Sequence, residues 1–235
     1  MLQIEENLLS VRARIAAACL AAKRDPATVQ LLAVSKTFEA LAINEAHAAG
    51  QQDFGENYIQ EGVDKIAALR GLPLVWHCIG PVQSNKTRLV ATHFDWVHSV
   101  DRIKIAQRLS EQRDPAQGRL QVCIQVNIDG GPTKAGVMPE HARDLALQIA
   151  ALPGLRLRGI MSIPEPAPDF AAALAVHLRT RGLFEELQSA GFALDTLSMG
   201  MSADLEAAIH AGSTMVRVGS AIFGSRTAQG QGLPH

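Results

Sequence analysis

Eight short apolar runs alternate with helical patterns along this chain, and that cadence leaves few folds open. The runs fall at 29–35, 52–55, 74–80, 96–99, 120–127, 155–163, 196–199 and 215–218. Helical periodicity fills the stretches between them, at 41–49, 59–69, 85–91, 102–112, 140–151, 171–190 and 203–211. Strands separated by helices pair in parallel, because a parallel partner is reached only by a crossover. Eight such units predict an α/β protein, a (β/α)8 barrel of the TIM type, near the lower end of that fold's usual size. An open doubly wound sheet is the alternative. A further helix precedes the first strand, with Leu8, Val11, Ile15 and Cys19 on one face to pack on the domain. No linker or low-complexity segment divides the chain, so a single domain is expected over 1–226. The Gly/Gln-rich stretch 227–235, with Pro234, is expected to be a disordered tail.

Composition narrows the function classes. Apolar residues make up 47% of the chain but aromatic ones only 4%, so the core must be aliphatic. Lys and Arg number 22 against 23 Asp and Glu, a balance without the basic footprint that nucleic acid or an anionic membrane requires. Cys19, Cys78 and Cys123 are odd in number and widely spaced. They read as buried free thiols of a reducing cytoplasm. No apolar run reaches the length of a membrane span, and Glu5 and Glu6 argue against a signal peptide.

Chemistry is placed at the carboxyl ends of barrel strands, and the polar residues of this sequence cluster there. The first strand, Leu31-Leu32-Ala33-Val34-Ser35, delivers Lys36. A lysine at such a place can be desolvated and act as a nucleophile toward a carbonyl, although strand-end lysines commonly just reach solvent. The last two strands end in small, hydroxyl-bearing turns, Ser198-Met199-Gly200-Met201-Ser202 and Gly219-Ser220. Such turns expose backbone N–H groups to an anion, and barrels often hold a phosphate after strands seven and eight. The plainer reading is that Ser202 caps a helix and Gly219 turns the chain. Arg217 precedes the second turn and alternates onto the face of Met215 and Gly219. In so apolar a strand it needs an acceptor inside the mouth, either Asp204 or Glu206 or a ligand ring nitrogen. Amine, phosphate cup and ring partner are together the parts that pyridoxal 5′-phosphate (PLP) requires. An arginine at the pyridine nitrogen leaves it unprotonated and the ring a weaker electron sink.

These residues also carry a resemblance. The stretches Ala33 to Thr37, Phe54 to Glu61, Trp76-His77 through Lys86, and Leu197 to Gly224 resemble the pyridoxal phosphate homeostasis protein family, over roughly 29–226. The resemblance implies the barrel of the alanine racemase amino-terminal domain, PLP fold type III. It implies the cofactor held as an imine (Schiff base) on Lys36, with Arg217 at the ring nitrogen and Ser202, Gly219 and Ser220 at the phosphate. By the same resemblance Asn57 and Met199 line the cofactor. Phe38 and Glu39 stand where members often have a basic residue and a proline, Thr133-Lys134-Ala135-Gly136 replaces the usual serine-lysine-serine-glycine, and the tail lacks lysines found in some members. Those departures bear on any secondary cofactor site, not on the primary set.

Other motifs weigh less. Gly80-Pro81-Val82-Gln83-Ser84-Asn85-Lys86-Thr87 approaches a P-loop, but Asn85 replaces the second glycine and Pro81 removes a backbone donor. His93 and His98 have no companions at metal-ligand spacing, so no metal is expected. His77 either touches the cofactor or is a hydrogen-bonded core histidine, and Glu56 either orients Lys36 or caps the next helix. The expected function is a PLP-binding protein of vitamin B6 homeostasis and supply, without robust catalysis. Its partners would be PLP and PLP-dependent apoenzymes, and it would be a monomer or weak dimer. The first alternative is a PLP-dependent amino-acid racemase, which needs a base on each side of the ring. The only tyrosine is Tyr58, and no room is expected for a second domain. A phosphosugar isomerase using Glu56 as base is a lesser alternative, and it leaves Lys36 unexplained.

Overall fold

The computed structural model describes residues 2–131 and 134–224, apart from the side chain of Leu2. Its strands are β1 (Gln30–Val34), β2 (Asp53–Glu56), β3 (Val75–Cys78), β4 (Trp96–Val100), β5 (Leu120–Val126), β6 (Leu155–Ser162), β7 (Thr196–Ser198) and β8 (Met215–Val218). They form one closed parallel barrel in sequence order, with β8 hydrogen-bonded to β1. Closure excludes the open doubly wound sheet. The helices are α1 (Leu2–Ala21), α2 (Ala40–Ala48), α3 (Ile59–Ala68), α4 (Thr87–His93), α5 (Ile103–Gln112), α6 (Pro139–Ala150), α7 (Phe170–Ser189), α8 (Leu205–His210) and α9 (Ser220–Phe223). The ends of the expected strands and helices lie within two residues of the observed ones. The exception in kind is α9, a single helical turn where the sequence shows only a small-residue turn. The expected tail lies outside the described residues.

The main core is the shell between the barrel and its helices, formed by outward residues such as Val97, Ile124, Leu197 and Val216 with Ile43, Leu109 and Ile149. The apolar face of α1 joins it: Leu8, Val11, Ile15 and Cys19 are all buried. Inside the barrel the packing is different. A small apolar cluster of Leu32, Val34, Ile79 and Met215 sits there, together with buried His77, His98, Ser198 and Arg217. A TIM barrel interior is ordinarily filled by branched aliphatics, so polar groups at its centre must be hydrogen-bonded to be tolerated. The three cysteines are buried and free, and burial pushes the Cys78 and Cys123 thiols up to about 12. No helix among the described residues is long and apolar enough to cross a membrane.

Barrel closure depends on close strand approach at Gly159 in β6. A Cβ there would lie 1.6 Å from the backbone oxygen of Thr196 in β7. Gly159→Ala therefore costs at least the roughly 1–3 kcal/mol typical of overpacking, read from urea unfolding. Gly182, exposed in the middle of α7 with nothing within 4 Å of where a Cβ would lie, is the control: Gly182→Ala stabilises by about 1 kcal/mol through helix propensity alone.

Candidate functional site

A cavity of about 610 Å³ opens at the carboxyl ends of the strands. Its wall includes Lys36, Asn57, Ser202, Arg217, Gly219 and Ser220, six of the seven residues expected to hold the cofactor. Met199 is the departure. Strand alternation turns it outward from Ser198, and it is fully buried in the shell among Leu197, Leu205 and Ala208. Its backbone is engaged as well, donating to Met215 O and accepting from Ser213 Oγ.

Lys36 follows inward Val34 and outward Ser35. It is half-buried, and Nζ makes no hydrogen bond or ion pair with another described residue. Its backbone is held from the far side of the barrel wall. Ser35 Oγ donates to Glu56 Oε1 at 2.6 Å, and Lys65 Nζ from α3 donates to Glu56 Oε1 and to Ser35 O, both at 2.8 Å. Lys65 also bonds Glu61, whose Oε1 accepts the Thr37 N–H. Burial pushes the Glu56 carboxyl up, against the opposing hydrogen bonds of Lys65 and Ser35. Glu56 thus belongs to this clamp and does not line the cavity. Thr37 has φ 68°, a left-handed conformation unusual for a β-branched residue. The turn after Lys36 is therefore held in place by these contacts and not by its own preference.

Asn57 faces inward at the end of β2, and its Oδ1 is buried without a hydrogen-bond partner. Gly80 lets the next strand end approach it, since a Cβ at Gly80 would lie 2.0 Å from Asn57 O. That glycine had drawn attention as the start of a near P-loop. In the structure the Gln83 and Ser84 carbonyls accept from Lys86 N–H, Thr87 Oγ1 and Arg108, and the stretch lies outside the cavity wall.

Arg217 is 4% exposed. Its Nη1 donates to Ser198 O at 2.7 Å and to Ser198 Oγ at 2.8 Å, and its Nη2 donates to Ser162 O at 2.8 Å. The expected carboxylate partners are committed elsewhere. Glu206 pairs with Arg14, and Asp204 binds His177 and the Met201 N–H. Burial pulls the Arg217 guanidinium down to about 10, with the charge of Asp204 opposing the shift. A buried cation without a direct counter-ion favours an acceptor or anion in the adjoining cavity.

The two turns flank that cation. Asp204 shapes the first by accepting Met201 N–H through Oδ1. Its own burial would raise its carboxyl, but His177, the Met201 N–H and Arg217 together lower it. The second turn places Gly219 and Ser220 at the start of α9, where the first N–H groups have no intrahelical acceptor. Phe38 on the cavity wall packs against Phe223, with ring centroids 5.1 Å apart and the rings tilted by 31°. His77 is fully buried and lies below the cavity as a hydrogen-bonded core residue. No group of three or more potential metal ligands occurs among the described residues. Sequence reading missed the roles of Ser198, Ser162 and Lys65. For Lys65 one signal was present: it lies four residues after Glu61 on α3.

The family model for the alanine racemase N-terminal domain matches residues 3–227. The pyridoxal phosphate homeostasis protein of Pseudomonas aeruginosa is 59% identical over 226 residues, covering 96% of this chain and 97% of that protein. The Escherichia coli K12 protein of the same name is 51% identical over 229 residues, covering 96% and 98%. Among solved structures, PipY of Synechococcus elongatus with PLP bound superposes with a TM-score of 0.84 at 40% identity, over 94% of this chain and all of that one. With identity at this level over nearly its whole length, the chain belongs to the pyridoxal phosphate homeostasis proteins of the alanine racemase N-terminal domain family.

Proposed function

We propose that this chain holds PLP on Lys36 as part of cytoplasmic PLP homeostasis, keeping the reactive cofactor bound and yielding it to apoenzymes. The observation that carries the reading is an uncommitted amine, Lys36 Nζ, on the same cavity wall as the buried cation Arg217. The unpartnered Asn57 Oδ1 supplies a further polar contact for a ligand in that cavity. The Pseudomonas and Escherichia relatives carry the homeostasis name, and PipY is a PLP-bound relative. Bound there, the cofactor supplies an aldehyde that condenses with an amine and a ring that withdraws electrons.

This chain's residues hold and orient the ligand. Lys36 offers the amine, and the Glu56–Lys65 clamp fixes the backbone that presents it. Ser202, Gly219 and Ser220 provide hydroxyl and backbone donors for the phosphate. Arg217, even lowered to about 10, stays protonated near neutral pH and would act as a donor to the ring nitrogen, leaving it unprotonated. The proposed role ends at holding because the described cavity wall does not offer the second base that a two-base proton exchange needs. Among the described residues of the cavity wall, Lys36 is the one amine, and no His, Tyr, Cys, Asp or Glu accompanies it. Tyr58 is 56% exposed and off the wall. Glu56, the base of the isomerase reading, engages Ser35 and Lys65 through Oε1 and is not on the cavity wall.

Three outcomes follow. Purified protein mixed with PLP turns yellow, and borohydride followed by peptide mass mapping finds the cofactor fixed on Lys36. Lys36→Ala loses both signals, and a variant that kept them would refute the assignment. The protein with PLP exchanges the α-hydrogen of alanine in deuterated water no faster than free PLP does. Faster exchange with loss of optical purity would return the racemase reading. Lys65→Met leaves Glu56 buried without its cation and costs about 3–5 kcal/mol in urea unfolding.

A further inference from the structure

A chain of hydrogen bonds crosses the barrel interior beneath the cavity. Arg217 Nη1 lies 2.8 Å from Ser198 Oγ, which lies 2.9 Å from His98 Nδ1. His98 Nε2 lies 3.0 Å from His77 Nδ1, and His77 Nε2 lies 3.0 Å from Asp53 Oδ1. The four links join β8, β7, β4, β3 and β2. Asp53 opens β2 at the opposite end of the barrel and borders a separate cavity there. Ser198, His98 and His77 are fully buried, and Arg217 is nearly so.

The two ends fix the direction of every proton between them. A guanidinium only donates, so Ser198 Oγ accepts from Arg217. The serine proton then has His98 Nδ1 as its acceptor. A neutral His98 with an accepting Nδ1 carries its hydrogen on Nε2 and donates to His77 Nδ1. His77 in turn carries its hydrogen on Nε2 and donates to the Asp53 carboxylate, which accepts only. The reverse order would point the His98 hydrogen at Ser198 Oγ and leave the serine proton without an acceptor. Burial, the neighbouring His77 and Arg217 all hold His98 well below the ordinary histidine range, consistent with a neutral ring. The Trp96 ring stacks on His77 at 5.4 Å and 13°, which fixes the plane in which His77 can bond.

We propose that Ser198, His98, His77 and Asp53 are positioning residues for Arg217: a proton-ordered relay, with both imidazoles neutral and protonated on Nε2, that holds the guanidinium at the cavity floor and ends on Asp53 as its remote counter-charge. The relay itself does not depend on what fills the cavity. Its consequence for PLP rests on the function proposed above, and the experiment separates the two.

Protein labelled with 15N-histidine, without PLP, reports the tautomers directly. His77 and His98, assigned with His77→Gln and His98→Gln variants, both show the Nε2–H form near neutral pH. An Nδ1–H form or an imidazolium at either ring would overturn the relay, whatever the protein binds. Ser198→Ala removes the central hydroxyl, and a mixture of tautomers then appears at His98. In Asp53→Asn, whose amide donates as readily as it accepts, the mixture appears at His77. With PLP added, Ser198→Ala shifts the bound-cofactor absorbance and speeds PLP release roughly tenfold, as loss of an outer-layer partner does at other ligand sites. Ser198→Thr keeps the hydroxyl and restores both. Wild-type absorbance and release in Ser198→Ala would overturn the positioning role. Failure of the wild type to bind PLP would overturn the cofactor reading and leave the tautomer result standing.

Discussion

The buried guanidinium of Arg217 is a costly group to hold inside this barrel, and the polar residues of the interior are arranged around it. Taking such an ion out of water costs several kcal/mol even after relaxation. Here it is offset by carbonyl and hydroxyl oxygens from Ser198 and Ser162. Those oxygens come from β7 and β6, so the cation is satisfied only when β6, β7 and β8 curve inward together. In an open sheet they would lie along one flat face, and one side chain could not fold back to reach both. Curvature of these strands into the barrel therefore brings both acceptors within reach of one guanidinium.

A second buried charge cluster works on the outside of the same wall. Lys65 reaches from α3 to Glu56 and to the carbonyl of Ser35. It locks the end of β1 to the end of β2 just where the chain turns with Thr37 at φ 68°. The cavity is thus bounded by two polar assemblies facing opposite ways. The inner one fixes a cation as a donor. The outer one absorbs the polar groups around Lys36 and leaves its amine without a partner among the described residues. On the function proposed above, an amine that bonds reversibly to a ligand aldehyde has to be uncommitted, and committing its neighbours to each other would arrange that.

Much of this was legible in the sequence, for a physical reason. Period-two alternation along a strand and the length of the crossovers fix which residues face inward and at which end they lie. Lys36, Asn57, Arg217, Ser202 and Gly219-Ser220 could therefore be placed at one mouth before any coordinates. The same rule placed Arg217 on the face of Met215. What it could not supply is pairing across the barrel. His98 is about 100 residues from Ser198, and Asp53 lies far from Arg217 in sequence, so no local pattern links them. His77 could be read two ways because facing inward does not distinguish the cavity from the layer beneath it. Met199, expected on the cavity from the resemblance alone, comes one residue after the end of β7, where alternation turns it into the shell, while Met201 and Ser202 line the mouth.

The contents of the cavity wall also bear on why a racemase-like barrel would hold a cofactor without turning it over. Catalysis of proton exchange needs two groups with matched acidity on opposite faces of the ring. This wall, in its described part, offers one amine and a guanidinium whose lowered value of about 10 still keeps it a donor. A ring nitrogen facing such a donor is not protonated and draws electrons weakly, which lowers the acidity of any carbon attached through the imine. On the function proposed above, both features would suppress side reactions of a bound aldehyde without weakening its retention, because phosphate donors and a reversible covalent bond would do the holding. If the task is the one proposed above, to keep a reactive aldehyde sequestered yet recoverable, the lack of a second base among the described wall residues and a weak electron sink would be functional properties.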